Sequence, residues 1–100
     1  MKVVNKRTHW ATQADVYIGR PSVLGNPYHL GPKETRGATI ARYKAWLWEQ
    51  IQAGGPVLDA IMDLKPEANL VCWCHPQPCH GDVIMAAYAW LKSREKQEEN

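Results

Sequence analysis

The residues of this chain that could do chemistry crowd into one stretch. Cys72-Trp73-Cys74-His75-Pro76-Gln77-Pro78-Cys79-His80-Gly81-Asp82 holds all three cysteines and two of the four histidines. Thiols and imidazoles this close together support two kinds of chemistry. In the first, Cys79 is a nucleophile or a polar contact to a ligand. Pro78 ends the preceding loop and a helix begins near His80. The thiol would therefore meet the open N–H groups and positive dipole end of a helix N-terminus, which favour thiolate. His80 would be its acid/base neighbour and Asp82, in the first turn, an orienting carboxylate. The bland counterpart is a small, half-buried cysteine that caps a helix. In the second, Cys72, Cys74 and Cys79 with either His75 or His80 supply the Cys3His count that zinc accepts. No second, separated pair of cysteines accompanies them. The expectation is no metal and no cofactor, with zinc as the alternative.

A second constellation is Gly19-Arg20-Pro21-Ser22 followed by Gly25-Asn26-Pro27. Glycine lets a backbone approach a ligand closely. Arg20 offers a planar fork for phosphate or carboxylate, with Ser22 and Asn26 adding a hydroxyl and an amide. The stretch matches neither the dinucleotide fingerprint nor the Walker loop. A rigid structural loop with a turn at Asn26-Pro27 is its bland counterpart. Arg36 could reach an anion held at the same place, whereas Arg42 reads as a helix-surface charge. Trp10, Trp46 and Trp48 are candidates for stacking on bases, and Trp90 is assigned to the core. His9 and His29 lie in loops without a visible partner.

Both constellations need elements to hold them. Lys2–Asn5 and Asp15–Gly19 read as short strands, and Leu70–Cys74 as a third whose two faces are both apolar. From Arg20 to about Arg36, proline and glycine forbid regular structure. The spacing of Ile40, Tyr43, Leu47 and Ile51 predicts a helix over 38–53, ended by Gly54-Gly55. Pro56 opens a short second helix carrying Val57, Leu58, Ile61 and Leu64. A last helix runs from about His80 to Ser93, with Val83, Ile84, Ala87, Tyr88 and Leu91 inward. The expected fold is a small α/β domain over residues 1–93: a three-stranded, mostly parallel sheet with about three helices packed on it. Residues 94–100 form a charged, frayed tail. Strand order is not readable.

The chain has 100 residues, enough for one core. It lacks the run of about 20 apolar residues that a membrane span requires, and it shows no signal peptide. An odd number of clustered cysteines points to a reducing compartment, hence the cytoplasm. Residues 1–50 carry eight Lys/Arg against three Asp/Glu, and residues 51–100 carry four against seven. The half with the long loops is thus basic, which suits an anionic small molecule or nucleic acid.

Val16-Tyr17-Ile18-Gly19-Arg20-Pro21-Ser22-Val23-Leu24-Gly25-Asn26-Pro27 and the Cys72–Asp82 stretch together resemble the domain-of-unknown-function family 4326, small proteins of bacteria and phages. The likeness runs from about Val3 to Leu91 and takes in Arg36 and Tyr43. Tyr28 stands where the family often has Phe. The resemblance implies a compact α/β fold and supplies no activity.

In a parallel sheet, loops that follow strands open at the carboxyl edge, so the two constellations could face one cleft. The expected function is binding of a nucleotide or other phosphorylated ligand there, with its chemical processing left open. Cys79, His80 and Asp82 are the catalytic candidates. Arg20, Ser22, Gly25, Asn26, Arg36 and Cys74 are the ligand-binding candidates. The alternative is a non-catalytic module that binds nucleic acid or protein and uses its cysteines structurally.

Overall fold

A computed structural model describes residues 1–28, 35–73 and 79–98. The described residues form three strands, β1 (Lys2–Asn5), β2 (Asp15–Tyr17) and β3 (Asn69–Cys72), and three helices, α1 (Arg36–Ala53), α2 (Pro56–Met62) and α3 (His80–Glu98), in the chain order β1-β2-α1-α2-β3-α3. The strands form one sheet in the order β1-β3-β2, and both pairings are parallel. The most apolar strand takes the centre: Leu70, Val71 and Cys72 are all buried. Both of its hydrogen-bonding edges are used by neighbouring strands, and three successive side chains on alternating faces are buried. The fold is thus the small α/β arrangement that the sequence predicts.

Parallel pairing decides where function can sit. Asn5 pairs with Cys72 and Tyr17 with Val71, so all three strands end at one rim. The ladder continues one residue further on each side: Lys6 N–H donates to the Cys72 carbonyl (2.8 Å) and Ile18 N–H to that of Val71 (2.9 Å). The residues just past the strand ends, Lys6-Arg7, Ile18-Gly19-Arg20 and Trp73, are therefore delivered to a single edge.

The opposite rim is tied by Asp15. Its carboxylate accepts from Thr12 N–H, the Thr12 hydroxyl, His9 Nε2 (2.8 Å) and Asn69 Nδ2. The Thr12 amide first, then His9 and Asn69, hold the carboxyl far below its usual range. His9 thus has a partner that sequence proximity did not reveal, while His29 lies outside the described residues.

Helix α1 starts two residues before the predicted position. Thr35 is its N-cap, with Oγ1 accepting from Ala38 N–H at 3.1 Å. Its buried positions are Thr39, Tyr43, Leu47 and Ile51. Thr39 takes the place expected for Ile40. Its hydroxyl can be buried because it donates to the Arg36 carbonyl at 2.9 Å. Gly54 and Gly55, at φ 75° and 111°, turn the chain into α2, with Pro56 in the first turn.

Trp90 is a correction. Expected in the core, it is 41% exposed and meets Trp48 edge-to-face at 5.0 Å. Helix α3 also extends beyond Ser93, through Glu98. The charged segment expected to fray is made of good helix formers. Lys92 pairs with Glu95, and the Arg94 guanidinium lies over the Trp90 ring. None of the helices among the described residues is long and apolar enough to cross a membrane.

The core joins one sheet face (Val3, Leu70 and Cys72) to Tyr43, Leu47, Ile61 and Ile84 of the helices. Helix α3 lies close to the sheet because Gly81 has no side chain. A Cβ there would come within 2.8 Å of Val3 Cγ2 and 3.0 Å of Ile18 Cδ1. In an exposed helix Gly→Ala stabilises by about 1 kcal/mol. Here Gly81→Ala is expected to destabilise by roughly 1–3 kcal/mol in urea unfolding, because it overpacks the helix–sheet contact. Pairing it with Val3→Ala should restore part of that loss. A more stable single variant would contradict this packing.

Candidate functional site

The loop after β2 turns twice. Ser22 N–H donates to the Gly19 carbonyl and Gly25 N–H to that of Ser22, each at 2.9 Å, and the Arg20–Pro21 peptide is cis. Asn26 Oδ1 then accepts from Tyr28 N–H at 2.8 Å, which leaves the amide NH2 of Asn26 as the group able to donate to a ligand. Two buried rings hold this loop against the helices. Tyr43 of α1 donates its hydroxyl to the Leu24 carbonyl at 2.8 Å. His80, at the start of α3, lies 2.7 Å through Nε2 from the Ile18 carbonyl. The two rings meet edge-to-face at 5.0 Å. Burial, reinforced by the nearby Cys79, pushes the Tyr43 phenol far above its usual range, so it remains a hydrogen-bond donor.

A carbonyl can only accept, so Nε2 of His80 carries the proton and Nδ1 presents its lone pair. Nδ1 lies 3.5 Å from Cys79 Sγ. Cys79 Sγ in turn lies 3.2 Å from Cys72 Sγ and accepts from Gly81 N–H at 3.4 Å. Cys79 thus caps α3 through its sulfur. Burial lowers the His80 pKa below 6.5; the Ile18 carbonyl opposes the shift and the Arg20 charge adds to it.

Above these groups lies a cavity of about 300 Å³ at the carboxyl rim. Arg20, Asn26, Arg36 and His80 line it, and so do Tyr17, Gly19, Tyr28, Thr39, Cys72 and Trp73. The two distant constellations do share one hollow. Among the described lining residues there is no carboxylate. The first turn of α1 carries no acid either.

Other predicted residues fall elsewhere. Ser22 Oγ is buried, has no hydrogen-bond partner among the described residues and is not among the described residues of the cavity wall. Gly25 is buried beneath the loop, where a Cβ would sit 3.0 Å from the carbonyl oxygens of Gly19 and Ser22. Its role is loop packing. Cys79 is 3% exposed and reaches the cavity only through Cys72 and His80, which line it. Asp82 lies two residues past His80, about 200° around the helix. It lines a different, apolar groove of about 420 Å³ between α1 and α3, with Lys44, Trp48 and Trp90. Cys74 lies outside the described residues, as does His75. Among the described residues no group of three or more His, Cys, Asp or Glu is placed to hold a metal ion. Both ring nitrogens of His80 already face protein partners.

Tyr17 and Trp73 are wall residues that sequence reasoning did not assign to the site. Trp73 Nε1–H donates to Tyr17 Oη at 3.2 Å, and Tyr17 Oη–H donates to the Arg20 carbonyl at 3.1 Å. The Tyr17 ring covers Gly19 so closely that a Cβ there would collide with it. The signal was available: both residues occupy the ends of strands that, if parallel, share a rim.

Since folding favours neutral His80, the unfolded chain binds more protons once pH falls below 6.5. Stability contributed by this ring is complete above 6.5 and declines as pH falls from there toward its folded pKa. Urea unfolding between pH 7.5 and 5 should show this decline, and His80→Gln should flatten that part of the profile. An unchanged slope in the variant would remove His80 as its source.

The family model of a domain of unknown function, DUF4326, matches residues 3–90. An uncharacterised 12.4 kDa protein from the nrdA-td intergenic region of Enterobacteria phage T4 is 34% identical over 83 residues, which cover 83% of this chain and 72% of the relative. No solved structure matches. The matched span takes in every described wall residue of the cavity, and on it the chain belongs to the DUF4326 family.

Proposed function

We propose that the carboxyl-rim cavity binds a nucleotide or another phosphorylated ligand. One observation carries this reading: Arg20 and Arg36, from separate segments, line a hollow whose described wall has no carboxylate. Neither arginine makes an ion pair among the described residues. Two guanidinium groups that line one small cavity repel each other, and an anion bound there relieves that repulsion. The start of α1 reinforces the positive potential, since Arg36 and Thr39 belong to its first turn and that turn carries no acid. Asn26 NH2 and the Tyr28 hydroxyl are the neutral donors that can complete the anion's shell.

The cysteines support this pocket from below. Cys79 is engaged by Gly81 N–H, His80 and Cys72. A sulfur held under the floor favours binding over nucleophilic attack. The odd number of clustered cysteines suits the reducing cytoplasm, where free nucleotides and nucleic acids are available.

Isothermal titration with adenosine monophosphate and with inorganic phosphate tests the reading. Arg20→Ala and Arg36→Ala, both at exposed positions, should each weaken binding by about tenfold or more, the scale of one charge-assisted hydrogen bond. Affinities unchanged by both substitutions would place the ligand elsewhere.

A further inference from the structure

Just outside the cavity, the same rim carries a second group of side chains. Lys6 Nζ lies 4.9 Å from the centroid of the Tyr17 ring and 5.6 Å from that of Trp73. The Arg7 guanidinium lies 5.9 Å from Trp73. Trp73 is 51% exposed, and its indole N–H is oriented by Tyr17, whose hydroxyl bonds to the Arg20 carbonyl. Neither Lys6 nor Arg7 makes an ion pair among the described residues. An exposed aromatic pair with cations over its rings adjoins the Arg20–Arg36 cavity directly, because Tyr17 and Trp73 also line that cavity.

We infer that the ligand is the phosphorylated end of a single-stranded nucleic acid, with its terminal phosphate between Arg20 and Arg36, a base on Trp73 and the next backbone phosphates along Lys6 and Arg7. This rests on the cavity reading above and extends it. The cavity is at the small end for ligand sites, so it can take a phosphate and sugar while the base projects onto the rim. Aromatic rings bind bases that are free to leave their neighbours, which selects single strands over duplex. The cations beyond the cavity have no use for a mononucleotide, whose one phosphate is already held. They match the repeating charge of a strand.

Fluorescence anisotropy of hexathymidylate, labelled at the end opposite the phosphate, tests this. A 5′-phosphorylated or 3′-phosphorylated strand should bind about tenfold or more tighter than the same strand with hydroxyl ends, and tighter than thymidine monophosphate. Which phosphorylated end is preferred sets the polarity of the site. The double variant Lys6→Ala, Arg7→Ala should weaken the strand and reduce its salt slope by about 1.4, leaving monophosphate affinity unchanged. Trp73→Ala should lose about tenfold for the strand, whereas Trp73→Phe, which keeps a stacking face, should retain most of it.

If monophosphate binds through Arg20 but the strand binds no tighter, this inference fails and the cavity reading survives. If strands with hydroxyl and phosphate ends bind equally, recognition of the end is overturned. If neither monophosphate nor strand binds, both readings fall.

Discussion

Two buried rings that touch each other hold the carboxyl rim of this domain together. His80 secures the Ile18 carbonyl and Tyr43 the Leu24 carbonyl, one from the start of α3 and the other from within α1. Between them they fix both ends of the loop that presents Arg20. Losing either donor would leave a buried carbonyl unsatisfied, a cost of about 1–3 kcal/mol, a sizeable share of a small domain's net stability. Their edge-to-face contact packs the two donors' rings against each other. The polar groups of the floor are thus committed to structure, whereas Arg20 and Arg36 of the wall make no ion pair among the described residues.

That division separates what the cysteines and histidine do from what the arginines do. The Cys72–Cys79–His80 cluster is dense in reactive atom types, yet each member has a protein neighbour: sulfur to sulfur, sulfur to imidazole, and backbone N–H to sulfur. Burial keeps His80 neutral and Tyr43 protonated. The cationic groups lie instead on the exposed side, and no described residue neutralises Lys6, Arg7, Arg20 or Arg36. The site is best described as a positive rim over a neutral, hydrogen-bonded floor.

Much of this was legible in the sequence, and the rest was not for definable reasons. Proline, glycine and apolar spacing placed all six elements, since these signals are local. That Arg20 and the Cys/His stretch share a hollow was also foreseeable, because parallel strands release their loops at one edge. Strand order was invisible, since it is set by which edges pair across the chain, and no local signal specifies that. Trp90 was misassigned because helical spacing gives a face but not whether that face meets the core or another tryptophan. Asp82 was grouped with His80 by closeness in sequence, whereas helix geometry turns it away. Ser22 and Gly25 were read as ligand contacts from their types. The structure uses Gly25 to let the loop fold over itself. Tyr17 and Trp73 were missed because their partnership spans 56 residues.

Mapping amide and indole shifts on 15N-labelled protein during titration with adenosine monophosphate tests the central claim most directly. Saturable changes are expected at Gly19, Arg20, Asn26, Arg36 and the Trp73 indole, with the indoles of Trp48 and Trp90 unmoved. Changes centred on Trp48 and Trp90, with the β2 loop silent, would contradict a phosphate-binding carboxyl rim.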